Sequence, residues 1–372
     1  MKKVQNIVIT LIFVGFIGLM GLLTFLLPAK RFSENENRYL QEFPTKITVK
    51  KIMDGSFIEK FSDYASDHVP LRDTWVHMKA ALERASGRRE NAGVLLGEED
   101  TLFMIQKDPD PGIYERNLKA VNKFTESCSV PVYFGLIPTA ASVWKDRMPA
   151  GAITADEDYY IDLMNQGSEA TALDVSGVLK EHAGEYIFYR TDHHWTSLGA
   201  LYGTNLILEE LGLETIDPAS LNWTRVSDSF YGTSWSRSGA FWIPPDEIWT
   251  CVPEEGIEFT SWITGSPKIS TVYHPEKLEK KDQYSYFLGG EQGLAVLKTD
   301  HQGPKVLLIR DSYADSLSPI LSMRCSEVHM FDMRYNKMSV RDYIEENGID
   351  YCVILYGFET YFTGSDIVLI GR

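Results

Sequence analysis

Short, strongly apolar runs alternate with helical patterns over the C-terminal two thirds of the chain, and this alternation limits the folds available to it. The runs lie at 130–137, 305–309, 328–330 and 351–355. Each is short enough for a buried strand, and amphipathic segments separate them. Strands and helices in alternation predict a parallel sheet covered on both faces. Residues 213–300 are rich in Trp, Ser, Thr, Pro and Gly without helical periodicity, which predicts a β-rich or irregular insertion.

The N-terminus carries a long apolar segment. Ile7 to Leu27 contains no charged residue and follows Met1-Lys2-Lys3. A helix of this length spans a bilayer, because each residue adds about 1.5 Å. Cleaved signal peptides usually have a shorter apolar region and a small-residue exit, which Leu26-Leu27-Pro28 does not supply. We therefore expect residues 1–29 to be an uncleaved transmembrane anchor.

The region between this anchor and the alternating segment predicts a connector followed by helices and a hairpin, over residues 30–110. Apolar residues at helical spacing predict two amphipathic helices whose stripes face a core. The stripes are Phe57, Phe61 and Tyr64, then Leu71, Trp75, Met78 and Leu82. Residues 91–103 place two apolar runs around an acidic turn, as a β-hairpin does. Residues 111–372 then form the predicted catalytic domain, with the insertion at about 213–300.

Charge and cysteine content exclude two classes of function. The formal charge of −16 repels a polyanion, and no basic stripe offsets it, so we expect no nucleic-acid partner. The four cysteines form no C-x-x-C pair, which excludes a zinc ribbon and a dithiol redox motif. They are expected to be core thiols or at most two disulfides.

The first candidate for chemistry is Asp192-His193-His194-Trp195. It follows a strand predicted at Tyr186–Tyr189 and precedes a helix that Thr196 caps. If the backbone is extended there, Asp192 and His194 share one face and His193 points away. His194 is then the better general base, and Asp192 orients its imidazole, as in serine hydrolase triads.

The second candidate is Ser312, at the end of the predicted strand 306–309. A tight turn and a helix follow it, so the serine N–H and the positive end of the helix face a developing oxyanion. The segment does not match the G-x-S-x-G elbow, because Arg310 and Ala314 occupy the glycine positions. An ordinary α/β-hydrolase is therefore disfavoured.

At these residues the chain resembles the DHHW proteins of bacteria, which are grouped with SGNH-like hydrolases and alginate O-acetyltransferases. The resemblance implies an SGNH-like three-layer α/β/α fold with a mostly parallel sheet, in which the Asp/His pair precedes the serine. Beside the Asp-His-His-Trp tetrad, the matching segments are Glu36-Asn37-Arg38, Asp67-His68-x-Pro70-x-Arg72, Gly93-Val94, Tyr231-Gly232, Arg310-Asp311-Ser312-Tyr313-Ala314 and Asp332-x-Arg334-Tyr335.

The resemblance implies a catalytic triad of Asp192, His194 and Ser312 and no cofactor. Arg334 matches a downstream arginine at the site of the alginate O-acetyltransferases. Arg310 stands where SGNH enzymes usually have glycine, so the position of the oxyanion donors stays open. Three residues are candidates for substrate binding or the oxyanion site: Arg334, Asp311 and Tyr313. Alternatively, Asp311 is a structural partner of Arg334, and Tyr313 is a packing residue.

The function implied is O-acetylation of a cell-surface or exported polysaccharide through an acyl-serine. The resemblance also implies an extracytoplasmic domain and a membrane-bound O-acyltransferase partner. Charges flanking the anchor do not by themselves place the domain outside, but long domains translocate largely regardless of such charges. The alternatives are an esterase that uses the same triad and a non-catalytic glycan-binding scaffold. Four tryptophans are candidate sugar platforms or core residues: Trp223, Trp235, Trp242 and Trp249.

A metal-dependent phosphoesterase is a further alternative. His193 and His194 with Asp192 or Asp311 supply the ligand types that such a site needs. Adjacent histidines on an extended strand diverge, however, so one shared ion is disfavoured and we expect no metal.

Overall fold

The computed structural model describes residues 2–33, 38–262 and 267–371. Within it the chain forms two compact units, residues 1–91 with 236–242, and residues 92–235 with 243–372. Glu36 and Asn37 of the family match lie outside the described residues. The division into anchor, connector and catalytic domain stays a prediction.

The first unit is mainly helical. Its strands β1 and β2 pair antiparallel, and Thr48 caps α2 through its side chain. The elements are α1 (Lys2–Leu26), β1 (Phe32–Ser33), β2 (Arg38–Tyr39), α2 (Val49–Met53), α3 (Ser56–His68), α4 (Arg72–Ala85) and β3 (Glu90–Asn91). The two amphipathic helices predicted after residue 55 are thus confirmed as α3 and α4.

Helix α1 is long and apolar enough to cross a membrane, and no other helix in the described ranges meets both conditions. Its 25 residues correspond to about 38 Å at the α-helical rise. An N-terminal signal sequence also meets these two conditions, so they do not by themselves distinguish an anchor from a signal.

Asp67, near the end of α3, binds the segment that precedes α2 and lies close to the start of α4. Its carboxylate accepts two hydrogen bonds from Arg38, at 3.1 and 2.5 Å, and one from the Gln41 N–H at 2.8 Å. Arg72 lies 3.8 Å away. Arg38, Asp67 and Arg72, three of the residues that carry the family resemblance, therefore meet in one ion-pair cluster.

The expectation that the α4 stripe is core is wrong for three of its four members. Leu71, Met78 and Leu82 are 70%, 44% and 64% exposed. Trp75 is half-buried and donates its indole N–H to the Pro70 carbonyl at 2.9 Å. Spacing reports that a helix has an apolar face, but only tertiary packing decides whether another element covers it.

The second unit alternates strands and helices. The predicted hairpin is confirmed, because β4 and β5 pair antiparallel. In order, the elements are β4 (Val94–Leu96), β5 (Leu102–Met104), α5 (Pro111–Ser127), β6 (Val132–Ile137), α6 (Ala140–Val143), α7 (Glu157–Gly167), β7 (Thr171–Leu173), α8 (Val175–Glu181), α9 (Ser197–Glu210), β8 (Thr224–Phe230), α10 (Thr233–Ser238), β9 (Asp246–Thr250), β10 (Ile257–Trp262), β11 (Lys268–Ser270), β12 (Leu294–Thr299), β13 (Lys305–Arg310), α11 (Ala314–Ser322), β14 (Glu327–Phe331), α12 (Val340–Asn347), β15 (Tyr351–Gly357) and α13 (Phe358–Thr363). Short 3-10 helices occur at Lys145–Arg147, Pro218–Ser220, Pro275–Lys277, Gln283–Tyr286 and Asp366–Gly371.

An eight-stranded sheet forms the centre of this unit, in the order β11-β10-β12-β14-β13-β15-β6-β7. The five strands from β14 to β7 are parallel. The strands β12, β10 and β11 extend one edge in antiparallel fashion. The parallel sheet predicted from the alternating runs is therefore confirmed, and part of the β-rich insertion is built into it.

Both faces of the sheet are covered, which makes three layers. In β13, Val306 and Leu308 pack into one core with α8, α9 and α11. Leu307 and Ile309 pack into a second core with α5, α7, α12 and α13. All four side chains are fully buried, and each contributes about 1.5–3 kcal/mol by leaving water. Burial on both faces explains why the strand is apolar at every one of these positions.

The strand predicted at Tyr186–Tyr189 is absent. The chain turns back at residues 190–194, so that Phe188 and Trp195 form an isolated antiparallel bridge. Thr196 then caps α9, as predicted, by accepting the Gly199 N–H at 3.4 Å. The cysteines are all unpaired, and three of them are buried as core thiols.

Candidate active site

A buried carboxylate holds the loop that carries the Asp-His-His-Trp tetrad. Asp246 of β9 is fully buried. It accepts the N–H groups of Arg190 and Thr191 at 3.1 and 2.7 Å, and the Thr191 hydroxyl at 2.6 Å. These bonds satisfy backbone donors that the turn leaves without a ladder partner.

Asp192 receives four hydrogen bonds. Its Oδ1 accepts the N–H of His194 at 3.0 Å and the Nδ1 of the same residue at 2.6 Å. Its Oδ2 accepts the N–H and hydroxyl of Thr233 at 2.7 and 3.0 Å. Gly232 packs on the carboxylate so closely that a Cβ there would lie 2.2 Å from the Asp192 side chain. This contact explains why glycine follows Tyr231.

These contacts fix the charge of Asp192. Burial alone would raise the pKa of its carboxyl group. Electrostatic interaction with the two adjacent histidines and hydrogen bonds from His194 and Thr233 more than offset burial, and they lower the pKa of Asp192 well below its ordinary value. Asp192 is therefore ionised at neutral pH.

Ser312 lies in the turn between β13 and α11, at the carboxyl end of the parallel strands. Asp311 holds this turn, because its Oδ1 accepts the Tyr313 N–H at 3.1 Å and its Oδ2 accepts the Gly357 N–H at 2.8 Å. Asp311 thereby ties the turn to the end of β15. A parallel sheet gathers such turns along one edge.

The two turns meet at the Ser312 hydroxyl. The distance from His194 Nε2 to Ser312 Oγ is 2.8 Å. The structure thus brings Asp192, His194 and Ser312 into one hydrogen-bonded chain, with the imidazole between the carboxylate and the hydroxyl. His194 is 6% exposed and Ser312 is half-buried, so the serine end of the chain is the accessible one.

Tyr284 was not anticipated from the sequence. Its ring stacks on the His194 imidazole, with centroids 3.9 Å apart and planes inclined by 8°. Its hydroxyl donates to the Ser312 carbonyl at 3.2 Å. It lies in the insertion, where neither periodicity nor a motif marked it.

Tyr313 and Trp195 join the histidine loop to the serine turn. The Tyr313 hydroxyl donates to the His193 carbonyl at 2.5 Å, and the Trp195 indole N–H donates to the Tyr313 carbonyl at 2.8 Å. Both side chains are buried. The tryptophan that ends the tetrad is thus a structural tie between the two halves of the site.

Two arginines near the serine have different partners. Arg334 pairs with Asp332 through its Nε and Nη2, at 2.9 and 2.6 Å. Asp332, and not Asp311, is thus its carboxylate partner. Arg310 is 1% exposed and lies 2.7 Å from Asp315 in the first turn of α11. It is buried under the serine turn rather than facing the substrate.

Ser312 opens into a cleft of about 480 Å³. The lining includes Asp192, His193, Tyr313 and Arg334, together with residues from β5, α6, α13 and the C-terminal 3-10 helix. Four of the six predicted site residues, Ser312 among them, therefore line the cleft. His194 and Asp311 lie behind this lining.

The expectation that His193 points away from His194 is wrong. Residues 191–194 bend, and the two imidazole centroids are 3.9 Å apart. Ligand atoms of Asp192, His193 and His194 lie within 4.8 Å of one another, so the geometric argument against a shared ion does not hold. Two of those atoms, Asp192 Oδ1 and His194 Nδ1, are hydrogen-bonded to each other, and a metal would have to replace that bond.

Lys281 is a second residue that the sequence did not mark, because Lys280-Lys281-Asp282 is typical of a solvated loop. Its Nζ lies 4.3 Å from the Trp235 ring centroid and 5.7 Å from that of Tyr231. Burial lowers the pKa of Lys281 to about 8, and the charge of Asp192 opposes this. A cation therefore lies close to the tetrad, on an aromatic pair.

Glu157 provides a test of stability against pH. It is 1% exposed and accepts the Thr139 N–H and hydroxyl at 2.8 and 2.6 Å. Burial raises its pKa from 4.5 to about 7, although the Thr139 bonds oppose the shift. The folded protein then binds this proton more tightly than the unfolded chain. The resulting stability is complete below pH 4.5 and is lost as pH rises to 7.

We expect the stability advantage of the wild type over Glu157→Gln to shrink by up to about 3 kcal/mol between pH 4.5 and pH 7.5, because glutamine does not ionise. Thermal denaturation of both full-length proteins in detergent measures this difference. A difference in stability between the two proteins that stays constant across this pH range would contradict the raised pKa of Glu157.

The family model for DHHW proteins matches residues 116–331. No curated protein matches the chain significantly. Among solved structures, a DHHW family protein from Eubacterium siraeum is 22% identical, with a TM-score of 0.67, over 76% of this chain and 95% of its own.

Two further solved structures are similar to the chain. Bacillus cereus PatB1, in a structure with a sulfonyl adduct, is 17% identical with a TM-score of 0.62, over 74% of this chain and 97% of its own. The O-acetyltransferase domain of Pseudomonas putida AlgJ is 15% identical over 72% of this chain and 92% of its own. Its TM-score of 0.44 is too low for a shared fold to be inferred. The DHHW family model matches more than half of this chain, and the Asp-His-His-Trp tetrad lies at the site. The chain therefore belongs to the DHHW protein family.

Proposed function

We propose that this protein is a serine acyltransferase that O-acetylates a cell-surface or exported polysaccharide through an acyl-Ser312 intermediate. The observation that carries the proposal is the hydrogen-bonded chain from Asp192 through His194 to the Ser312 hydroxyl, with distances of 2.6 and 2.8 Å. A hydroxyl becomes a nucleophile when an adjacent base accepts its proton and a third group orients that base.

Each residue of the triad has a defined step. His194 Nε2 takes the Ser312 proton as Oγ attacks the donor ester carbonyl, and the ionised Asp192 stabilises the resulting imidazolium. The imidazolium then gives its proton to the departing alcohol oxygen, which leaves an acetyl ester on Ser312. In the second half, His194 takes the proton of an acceptor hydroxyl, whose oxygen attacks that ester, and the imidazolium returns the proton to the Ser312 oxygen as it leaves.

The oxyanion donors follow from the serine turn. Within the described residues, the Ser312 N–H has no hydrogen-bond acceptor, and it lies at the positive end of α11. We assign it to the oxyanion. Arg334 lines the cleft and is assigned to substrate binding. Asp311 and Tyr313 are assigned to holding the turn, because their polar groups are bonded within the protein.

Two further observations support a nucleophilic site and a polysaccharide substrate. A sulfonyl adduct is present in one structure of PatB1, and sulfonylating reagents react with activated nucleophiles. The resemblance to the alginate O-acetyltransferases favours a polysaccharide as the acceptor. The cleft beside Ser312, at about 480 Å³, has a volume typical of sites that bind small organic molecules.

Cellular placement is part of the proposal. We assign α1 as an uncleaved anchor because its apolar stretch runs to Leu27 and is followed by Pro28 rather than by a small-residue cleavage site. The globular part is then extracytoplasmic, where exported polysaccharide is accessible. A membrane-bound O-acyltransferase is the partner that would bring acetyl groups across the bilayer.

Product analysis tests transfer against hydrolysis. The full-length protein in detergent is given p-nitrophenyl acetate with cellohexaose or chitohexaose as acceptor. We expect p-nitrophenol release and a hexasaccharide that has gained an acetyl group, detected by mass spectrometry. Free acetate as the sole product with both acceptors would instead identify an esterase.

Two controls separate the remaining alternatives. A protein that releases no p-nitrophenol and is not labelled by a sulfonyl fluoride would be a scaffold. Activity that survives in Ser312→Ala but is lost on chelation would favour a metal-dependent phosphoesterase built on Asp192 and the two histidines.

A further inference from the structure

A second cavity lies on the antiparallel edge of the sheet, apart from the cleft that holds Ser312. It is a groove of about 720 Å³, lined by residues of β10, β12 and β14, by the segment 335–338 and by α12. No triad residue contributes to its lining.

The floor of the groove is one face of three neighbouring strands. Thr260, Val296 and His329 lie side by side across β10, β12 and β14. Trp262 and Leu294 form the next row towards one end. These residues occupy alternate positions of their strands, so their side chains share a face. Tyr343 of α12 contacts His329 and bounds one side of the groove.

One of two buried polar residues in the wall offers a free recognition group. Asn336 is 6% exposed, its Oδ1 accepts the Met338 N–H at 2.9 Å, and its Nδ2 has no partner in the described part of the chain. A buried amide donor without an acceptor is rare in native proteins and indicates a missing partner. His329 is bonded on both nitrogens, to Tyr343 and Glu327, at 2.7 and 2.9 Å.

The lining of the groove carries one lysine and one carboxylate. Lys298 lies 3.4 Å from Glu327, and Lys305, which is outside the lining, also pairs with Glu327 at 3.1 Å, so the carboxylate is neutralised. Burial lowers the pKa of His329 to about 4, against the opposing effect of Glu327, which leaves the imidazole neutral at neutral pH. An uncharged ligand therefore fits this site better than a polyanion does. The net charge of −16 also repels a polyanion.

Aromatic side chains indicate the class of uncharged ligand. Trp262 is half-buried and Tyr335 is 44% exposed, so both rings present surface to the groove. Aromatic faces beside amide and hydroxyl groups suit a sugar ring, which is apolar on its faces and carries hydroxyl groups at its edge.

We propose that this groove binds a neutral oligosaccharide segment and is separate from the cleft in which Ser312 reacts. The segment after β14 connects the two sites: Arg334 lines the cleft, and the next two residues, Tyr335 and Asn336, line the groove. The two sites thus share one continuous stretch of chain in their walls. This choice of ligand rests partly on the proposed function.

The test is calorimetric titration of the full-length protein in detergent with cellohexaose, chitohexaose and hexamannuronate. We expect at least one neutral hexasaccharide to bind, and Trp262→Ala to weaken its binding about tenfold, the effect of losing one stacking contact. Tyr335→Ala, at a more exposed position, gives a second measurement if Trp262→Ala unfolds. Tyr159→Ala is the matched control, because Tyr159 is 58% exposed and lies outside the groove.

Three results would overturn the inference: no binding of either neutral hexasaccharide, wild-type affinity in both aromatic variants, or tighter binding of hexamannuronate than of the neutral sugars. Hydrolysis of p-nitrophenyl acetate distinguishes a failure of the sugar-binding groove from a failure of the proposed function. If the wild type hydrolyses the ester through Ser312 but binds no sugar, the groove fails and the triad stands. If sugar binds but Ser312→Ala hydrolyses the ester at the wild-type rate, the groove stands and the triad fails.

Discussion

Replacing Ser312 by alanine is expected to lower the rate of p-nitrophenyl acetate turnover by about a thousandfold or more, because within the described ranges Ser312 carries the one hydroxyl that is hydrogen-bonded to the imidazole of His194. The residual rate would come from binding and the oxyanion donors, which the substitution leaves in place. Release of p-nitrophenol by the full-length protein in detergent measures the effect, and mass spectrometry of the intact wild type detects the acetyl-enzyme.

Ser234→Ala is the matched control for this variant. Ser234 lines the same cleft, is fully buried, and its hydroxyl has no partner among the described residues. We expect it to turn over ester at close to the wild-type rate. Thermal denaturation of both variants checks that each is folded. A folded Ser312→Ala protein with wild-type turnover would remove the acyl-serine mechanism.

The main strands could be predicted because their signal is local. Burial on both faces requires apolar residues at every position, and the run Val306–Ile309 shows this directly. The prediction that the α4 stripe is core was wrong because its burial is not a local property. Helical spacing identifies the apolar face, but whether Leu71 or Leu82 is covered depends on distant elements.

The pairing of Asp192 with His194 was predicted from an extended backbone, whereas the structure reaches it through a bend. Asp192 accepts the backbone N–H of the residue two positions on, a turn contact that aspartate favours. Both conformations bring the two side chains together, but only the bend also brings His193 beside them. Sequence alone does not distinguish a strand end from a turn of this kind.

The supporting residues of the site were not predictable. Asp246 and Tyr284 come from segments without periodicity, and they reach the tetrad only through the tertiary fold. The partner of Arg334 was equally open, because Asp311 and Asp332 are both nearby acids and the choice depends on where β14 ends. Packing contacts of this kind have no short-range signature in sequence.

Asp192→Asn is expected to lower the turnover number by about 10³- to 10⁴-fold while KM changes little. The carboxylate accepts one fixed backbone N–H on each oxygen, from His194 and from Thr233. An asparagine amide has a single oxygen, so its NH₂ group must face one of these donors. If it faces His194, it favours the tautomer in which Nε2 carries the proton, and that nitrogen no longer accepts the proton of Ser312. In either orientation the negative charge that stabilises the imidazolium is lost.

His193→Gln is the comparison that gives this prediction its specificity. His193 is also adjacent to Asp192, but its Nδ1 contacts the Thr233 hydroxyl at 2.7 Å and it lies outside the line from Asp192 to Ser312. We therefore expect it to retain turnover within about tenfold of the wild type, the range of substitutions that do not touch the proton path. Steady-state kinetics on the two full-length variants measures both values. A loss in His193→Gln as large as that in Asp192→Asn would mean that the two histidines act together with Asp192, as ligands of one ion do, and would shift the assignment from acyl transfer towards metal-assisted hydrolysis.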